Sequence, residues 1–387
     1  MNLEKNKEIN LKVCTRCIYD EHVDQITFNQ YGVCNYCLQV DDLIEMYGTA
    51  NPKGRATFEA YIAEIKSAGK RKKYDVIVGV SGGTDSSFML HLAIKEGLRP
   101  LAVHYDNTWN TAIATQNIQK ITDTLNVDLY TYVVDNKEAD DIFKAFLYSG
   151  VSEIEASTDL ALAEVMYRAA SKFNVKYIFE GHSFIEEGIT PLGKNYFDGK
   201  YIKEIHKRYG KYPMKTYPLM TFSRFIYWTV FKRIKKIRPF WYIDYNKENA
   251  KNFLKKEFNW EYYGGHHLEN RMTAFCHSFY FPNKFKVDYR NNTLSAEVRN
   301  KKTTREEALK IYNTPPYIEE NLLQYFKKRL SLSDEEFESI MNQPLRYWYE
   351  FPTYKKTFER LRPLFFLLAK ANLVPMSFYL KYCFPTK

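Results

Sequence analysis

The stretch Asp75-Val-Ile-Val-Gly79-Val80-Ser81-Gly82-Gly83-Thr84-Asp85-Ser86-Ser87-Phe-Met-Leu-His91 decides how the rest of the chain is read. Val76, Ile77, Val78 and Val80 make a short β-branched run, the pattern of a strand covered on both faces of a parallel sheet. Gly82 and Gly83 then allow a sharp turn and a close approach of backbone N–H groups to an anion. From Ser86 to Lys95 the apolar residues Phe88, Met89, Leu92 and Ala93 recur at helical period. Strand, glycine turn and positive helix end together form a phosphate cradle, with hydroxyls from Ser81, Ser86 and Ser87.

Ser-Gly-Gly-x-Asp-Ser after a strand resembles the PP-loop of the ATP pyrophosphatases, which cleave ATP between its α and β phosphates to adenylate a carbonyl or carboxylate oxygen. A P-loop would carry Gly-x4-Gly-Lys-Ser/Thr. Here no lysine stands in the turn and Asp85 does, which suits magnesium between the acid and a polyphosphate. The expected ATP and Mg2+ contacts are therefore Ser81, Gly82, Gly83, Thr84, Asp85, Ser86 and Ser87.

Further strands are expected at Pro100 to Asn107, Val127 to Asp135, Val175 to Phe179 and Tyr217 to Met220, with helical segments between them. Such alternation predicts an α/β fold with a doubly wound parallel sheet. Ligands of these sheets lie beyond the carboxyl ends of the strands. Asp106, Gly181 and His182 are thus delivered to the same edge as the cradle, although Asp106 reads equally well as a turn residue or helix cap. Ser157, Thr158 or Asp159 is expected to cap a helix, and Thr304 with Glu307 to form a capping box. Trp260-Glu-Tyr-Tyr-Gly264-Gly265-His266-His267-Leu268-Glu269-Asn270-Arg271 is not core composition. Arg271 suits phosphate, while His182, His267 and Glu269 are the candidates for proton exchange.

Cys14-Thr-Arg-Cys17 and Cys34-Asn-Tyr-Cys37 stand 16 residues apart. Two such knuckles suit tetrahedral thiolate coordination of Zn2+, with an iron–sulfur cluster or redox pair as the alternative; a closed four-sulfur set is structural. The 387 residues suit about two domains of roughly 150 residues each. The division read here is 1–45 (zinc-binding), 46–74 (helical connector), 75–225 (the PP-loop ATP pyrophosphatase unit) and 226–387 (basic, aromatic-rich and mainly helical). No apolar signal follows Met1-Asn-Leu-Glu-Lys5 and no run is long enough to span a bilayer, so the chain is read as cytoplasmic. Its net charge of +10 is concentrated between Lys200 and Lys256, where 16 basic residues face 3 acids. That stretch suits a polyanion: nucleic acid, a nucleotide diphosphate or an acidic membrane surface. Arg362 to Phe384 is apolar, basic-flanked and broken by Pro375, which suits a packed helical tail, with peripheral membrane contact as the alternative.

The rival PP-loop chemistry, sulfur transfer to tRNA, needs a thiol near the cradle. From Asp75 to Trp260 there is no cysteine, which favours a nitrogen nucleophile. Nearly the whole chain resembles the N-acetyl sugar amidotransferases of bacterial surface-polysaccharide (LPS/O-antigen) biosynthesis. The resemblance lies in both cysteine pairs, Ser81 to Ser87, His104 to Asn110, Ile154-Glu155-Ala-x-Thr158-Asp159, Gly181-His182, and Asp244-Tyr-Asn246-Lys247 through Arg271. It implies conversion of an acetamido group on a nucleotide-linked or related acidic sugar into an acetamidino group, with AMP and pyrophosphate released. Glutamine hydrolysis requires a thiolate nucleophile. Residue 2 is Asn, four cysteines are committed to metal, and neither Cys276 nor Cys383 lies in a Gly-x-Cys-x-Gly turn. Ammonia is therefore expected from a separate glutaminase subunit, which the resemblance also implies. Nucleic acid is not an expected partner, and a tRNA-modifying PP-loop enzyme is the alternative reading.

Overall fold

The computed structural model describes residues 11–189, 196–265, 268–371, 373–374 and 376–385. The valine-rich run forms β1 (Val76–Gly79), followed by β2 (Pro100–Asp106), β3 (Leu129–Val133), β4 (Tyr177–Phe179) and β5 (Lys235–Ile237). Their order is β3-β2-β1-β4-β5 and every pairing is parallel. Central β1 sets the register, with Ile77 opposite both Leu101 and Ile178. Its alternate side chains feed two cores, as a strand's two-residue period requires. Val76, Val78 and Val80 pack with α2 (Pro52–Gly69), α3 (Thr84–Lys95) and α4 (Ala112–Leu125). Ile77 packs on the other face with α5 (Asn136–Ser149) and α6 (Ala156–Lys172). The doubly wound parallel sheet read from the sequence is the fold observed.

Two local expectations fail for identifiable reasons. Tyr217 to Met220 is not a strand, because the backbone amides leading into it are taken elsewhere. The buried Glu138 carboxylate accepts from the N–H groups of Lys215 (3.1 Å), Thr216 (2.9 Å) and Tyr217 (2.8 Å). The fifth strand is instead Lys235–Ile237, inside the basic stretch assigned to a polyanion; Lys236 (2.5 Å) and Arg238 (3.0 Å) pair with Glu180, and Lys235 pairs with Glu64 (2.8 Å). Helix α6 starts at Ala156, before Ser157, with Glu155 at the N-cap position and no side-chain cap. The Thr304–Glu307 capping box is present as expected.

Ahead of the sheet, α1 (Asn35–Tyr47) is capped by the Cys34 side chain and α2 by Asn51. Beyond it the chain is mainly helical. The tail packs Phe365, Ala369, Tyr379 and Cys383 against Phe222, Phe225 and Ile226. No described helix is long and apolar enough to cross a membrane.

Removing the acid that gathers three amides should expose what it contributes. Glu138→Ala leaves buried donors unsatisfied and is expected to cost about 3 kcal/mol, read as a lower urea midpoint with an unchanged slope.

Candidate active site

The turn after β1 is built so that only glycine fits at its apex. Gly82 has φ +79°, and a Cβ there would come within 2.1 Å of the Ala114 carbonyl oxygen. Its own carbonyl accepts from Trp260 Nε1 (3.0 Å) and Asn117 Nδ2 (3.2 Å), which anchors the loop from outside. Ser81 and Ser86 brace it internally: the Ser81 amide donates to Ser86 Oγ (3.1 Å) and the Gly83 amide to Ser81 Oγ (3.3 Å). Gly83 is the N-cap of α3 and supplies no side-chain cap, so the helix end keeps its partial positive charge. Ser87 and Thr84 are buried, and Thr84 Oγ1 has no hydrogen-bond partner. A buried orphan hydroxyl beside uncapped helix amides fits a bound phosphate. Gly181 packs against Asp85, whose carbonyl carbon would lie 3.4 Å from a Cβ placed there.

Asp85 is the electrostatic centre. It accepts from Tyr245 OH (2.5 Å) and Lys247 Nζ (2.6 Å). Burial alone would raise its carboxyl, but the Lys247 charge, with the hydrogen bonds of Lys247 and Tyr245, outweighs it and holds the group below the usual carboxylate range. Burial acts against the Lys247 ammonium too, and Asp85 and Glu187 (3.6 Å) overcome it, so the lysine stays charged. Thus the lysine missing from the turn is supplied from 162 residues downstream. Each Asp85 oxygen keeps a second lone pair beyond these bonds. The carboxylate is therefore compatible with Mg2+ while still paired.

The remaining candidates are distributed unevenly. His182 Nδ1 accepts from Trp241 Nε1 (3.3 Å), and its Nε2 lies 3.7 Å from Glu187. Burial in the molecule's mass and the Arg238 charge lower its pKa to about 4, although 43% of the side chain is open to the cleft. The neutral ring carries its proton on Nε2 and is a donor there. Glu269 is brought to the cradle by the backbone, since Asn110 bridges to Asn270 and the Thr111 amide donates to the Glu269 carbonyl (2.9 Å). A Cβ on Gly83 would come 3.1 Å from Tyr263 OH and 3.5 Å from Glu269 Oε1. Arg271 is engaged otherwise, over the Tyr325 ring (4.8 Å) and 3.8 Å from Glu319. Asp106 serves its own turn, accepting from the Thr108 amide (2.7 Å) and Asn110 Nδ2 (3.4 Å). His267 lies outside the described residues. Lys247, Tyr245 and Glu187 were missed as site residues; Asp244-Tyr-Asn246-Lys247 was the only sequence signal for two of them.

A chamber of about 530 Å³ opens beside this cluster, with His182 and Glu187 in its wall. Glu153, Glu155 and Asp159 line it from the sheet side, and His277, Phe281 and Tyr289 from the helical region. Burial pushes the Glu153 carboxyl up to about 7, where it accepts from Tyr201 OH (3.1 Å) and Ser152 Oγ (3.2 Å).

At the N-terminal end Cys14, Cys17, Cys34 and Cys37 are buried with their sulfurs all within 4.8 Å of one another. The Cys14–Cys37 and Cys17–Cys34 separations are 3.9 and 3.8 Å. Amides of Arg16 and Cys34 point at Cys14 Sγ (3.4 and 3.2 Å), as around a thiolate site. Arg305 Nε donates to the Cys14 and Cys17 carbonyls, and Tyr19 OH to Asn292 Oδ1 (2.8 Å), so this segment is docked on the C-terminal helices.

Residues 75–187 match the phosphoadenosine phosphosulfate reductase domain, and residues 269–362 match the C-terminal domain of the WbpG-like LPS biosynthesis proteins. The chain is a PP-loop protein with a WbpG-like C-terminal domain. This bears out the family read from the sequence, and the PP-loop fold implies ATP and Mg2+. No curated protein matches. Among solved structures, an NMN synthetase from Francisella tularensis overlaps 75% of this chain and 97% of its own at 14% identity and a TM-score of 0.30. An NH3-dependent NAD synthetase from Campylobacter jejuni overlaps 76% and 98% at 11% identity and 0.31. The U34-tRNA thiolase NcsA from Methanococcus maripaludis, with its [4Fe-4S] cluster, overlaps 72% and 82% at 12% and 0.30. Likenesses at 14% identity or less and TM-scores of 0.30 to 0.31 say nothing about activity.

The pairing at Asp85 has a measurable sign. A carboxyl held low in the fold stabilises above its unfolded pKa, near 3.9, and that stabilisation is lost as pH falls through the folded value. Lys247→Met removes the cation, so burial dominates, the Asp85 carboxyl rises, and acid destabilisation begins at higher pH. At pH 7 the variant is expected to lose about 3 kcal/mol, and thermal unfolding from pH 7 to pH 4 should show the earlier onset.

Proposed function

We propose that the chain is an ATP-dependent amidotransferase of LPS or related surface-sugar biosynthesis. It adenylates the acetamido oxygen of a nucleotide-activated or related acidic N-acetyl sugar, and ammonia replaces that oxygen to give an acetamidino sugar, AMP and pyrophosphate. The observation that carries this reading is the shared wall between cradle and chamber. Glu187 touches the Asp85–Lys247 pair and also lines the cavity, so an acceptor in the chamber sits against the nucleotide.

An amide carbon is a poor electrophile and its oxygen a poor leaving group, and converting that oxygen to a phosphate ester makes substitution feasible. The α3 amides with Ser81, Thr84 and Ser86 bind phosphate, and Lys247 adds positive charge where pyrophosphate departs. Mg2+ on Asp85 would neutralise polyphosphate charge when bound. His182 Nε2–H serves as a hydrogen-bond donor on the acceptor side. Phe281 and Tyr289 give the sugar an apolar wall, and the chamber's carboxylates accept from its hydroxyls.

Ammonia is read as coming from a partner glutaminase subunit. Outside the cysteine quartet only Cys276 and Cys383 remain. Burial pushes the Cys276 thiol well above its ordinary value and Cys383 up to about 11, so neither offers a thiolate nucleophile. The same absence speaks against a sulfur relay.

Incubation with ATP, ammonium and nucleoside-diphosphate acetamido hexoses or hexuronic acids should yield AMP, pyrophosphate and a product in which NH replaces O, seen by mass spectrometry. Acceptor-dependent ADP and phosphate would refute the reading. Glutamine should replace ammonium only when a glutaminase subunit is added.

The cysteine quartet is read as a structural zinc site. Tetrahedral Zn–S bonds of about 2.3 Å place sulfurs about 3.8 Å apart, and the 3.8 and 3.9 Å separations match. Metal analysis should find one zinc per chain, and Cys34→Ser should abolish it while lowering the melting temperature; iron with a visible charge-transfer band would contradict it.

A further inference from the structure

The helical tail packs on the body with one side and turns an apolar side outward. In the helix Arg362–Lys370, Phe365 and Ala369 stand one turn apart and are buried in the cluster that Phe222, Phe225 and Ile226 complete. Leu364, Leu367 and Ala371 recur at helical spacing on the other side. There Leu364 is 49% and Leu367 64% exposed. Basic groups bracket this face: Lys370 Nζ lies over the Phe366 ring (5.6 Å) and the Arg362 guanidinium over Phe384 (3.9 Å). A second element of the same character adjoins it. The short helix Phe222–Ile226, which seats the tail through the Phe225–Phe378 stack (4.7 Å), runs on into the π-helical turn Tyr227–Phe231. That turn ends on Phe231, 74% exposed, and Lys232 and Arg233 follow it.

We infer that this face docks on the surface of an anionic lipid bilayer. Leu364, Leu367 and Phe231 enter the boundary between headgroups and acyl chains, while the neighbouring lysines and arginines stay at the headgroups. The inference does not depend on the reaction proposed above. Charge selects the occupant. From Phe351 to Lys387 there are seven basic side chains and one acid, Glu359, and from Ile205 to Ile243 there is no acid at all. Two copies of such a face would set like charges against each other. A nucleic acid would meet the charge but leave Leu364 and Leu367 in water. An anionic bilayer supplies both the apolar phase and the negative headgroups. Since no described helix is long and apolar enough to cross a membrane, the contact is peripheral.

The test sediments the full chain with vesicles of phosphatidylcholine alone or of equal parts phosphatidylcholine and phosphatidylglycerol. The chain should bind the anionic vesicles at least about tenfold more tightly, at about fivefold for each basic residue near the surface. Binding should weaken at about 1 M salt, where the Debye length is about 3 Å. Leu364→Ser with Leu367→Ser should lower partitioning about tenfold or more at an unchanged melting temperature. Phe231→Ser, at the most exposed of these positions, carries the test should the double variant fold poorly. Lys232→Gln with Arg233→Gln should weaken binding to the anionic vesicles alone. Equal binding to both vesicle types, binding to neither, or serine variants that bind like wild type would overturn the inference. Self-association without vesicles, abolished by the same serine variants, would assign the face to a second copy of the chain and overturn it as well.

Discussion

Asp85 enters the interior only because Lys247 goes in with it. A carboxylate taken out of water without a partner would cost several kcal/mol and would take up a proton. With the lysine at 2.6 Å and the Tyr245 hydroxyl at 2.5 Å it remains charged. That one requirement dictates much of the surrounding architecture. The segment carrying Tyr245 and Lys247 has to lie against the opening of α3, and β5 together with the 3-10 turn at Pro239–Trp241 leads it there. Phe240 stacks on Tyr245 at 3.7 Å, which fixes the tyrosine before it meets the acid. The positive charge that a P-loop draws from its own turn is thus supplied here by tertiary structure.

The site is divided between a sheet and a set of helices that touch along one chamber. On the sheet side, strand ends and the glycine turn present backbone amides and fixed dipoles. On the helical side, aromatic rings and His277 close the cavity. Trp260, Tyr263 and Glu269 lie between the two, gathered on the loop by hydrogen bonds to Gly82 and to residues after β2. Under the proposed function, such an arrangement would bring a nucleotide and a second substrate together without either half carrying a complete site.

How much of this was legible in the sequence depended on distance along the chain. The cradle, four of the five strands, the capping box and the cysteine quartet are local patterns, and they were read from their own residues. Lys247 was not, because nothing near it indicates that its partner is Asp85. The Lys235-Lys236-Ile237 strand was taken for part of a ligand patch; on a short edge strand, lysines satisfied by Glu64 and Glu180 look the same in sequence as lysines awaiting phosphate. Tyr217 to Met220 had the composition of a strand but not the free amides, which Glu138 had already claimed from the turn before it. Arg271 and Asp106 carried suitable chemistry at a suitable place, yet the structure gives both to nearby structural partners. His277 has no local signal of this kind, because its partner Glu155 is 122 residues away.

The hydroxyl of Tyr19, flanked by the cysteine pairs, reaches across to Asn292, and Asn292 is part of the chamber wall. Arg299 bridges the same gap from the other direction, with Nη1 3.9 Å from Cys37 Sγ. Tyr19 thus joins the thiol segment directly to the chamber wall. Any coupling free energy that passes through those contacts acts equally in both directions, so a chamber ligand that bound more tightly to a metal-loaded chain would tighten metal binding by the same factor.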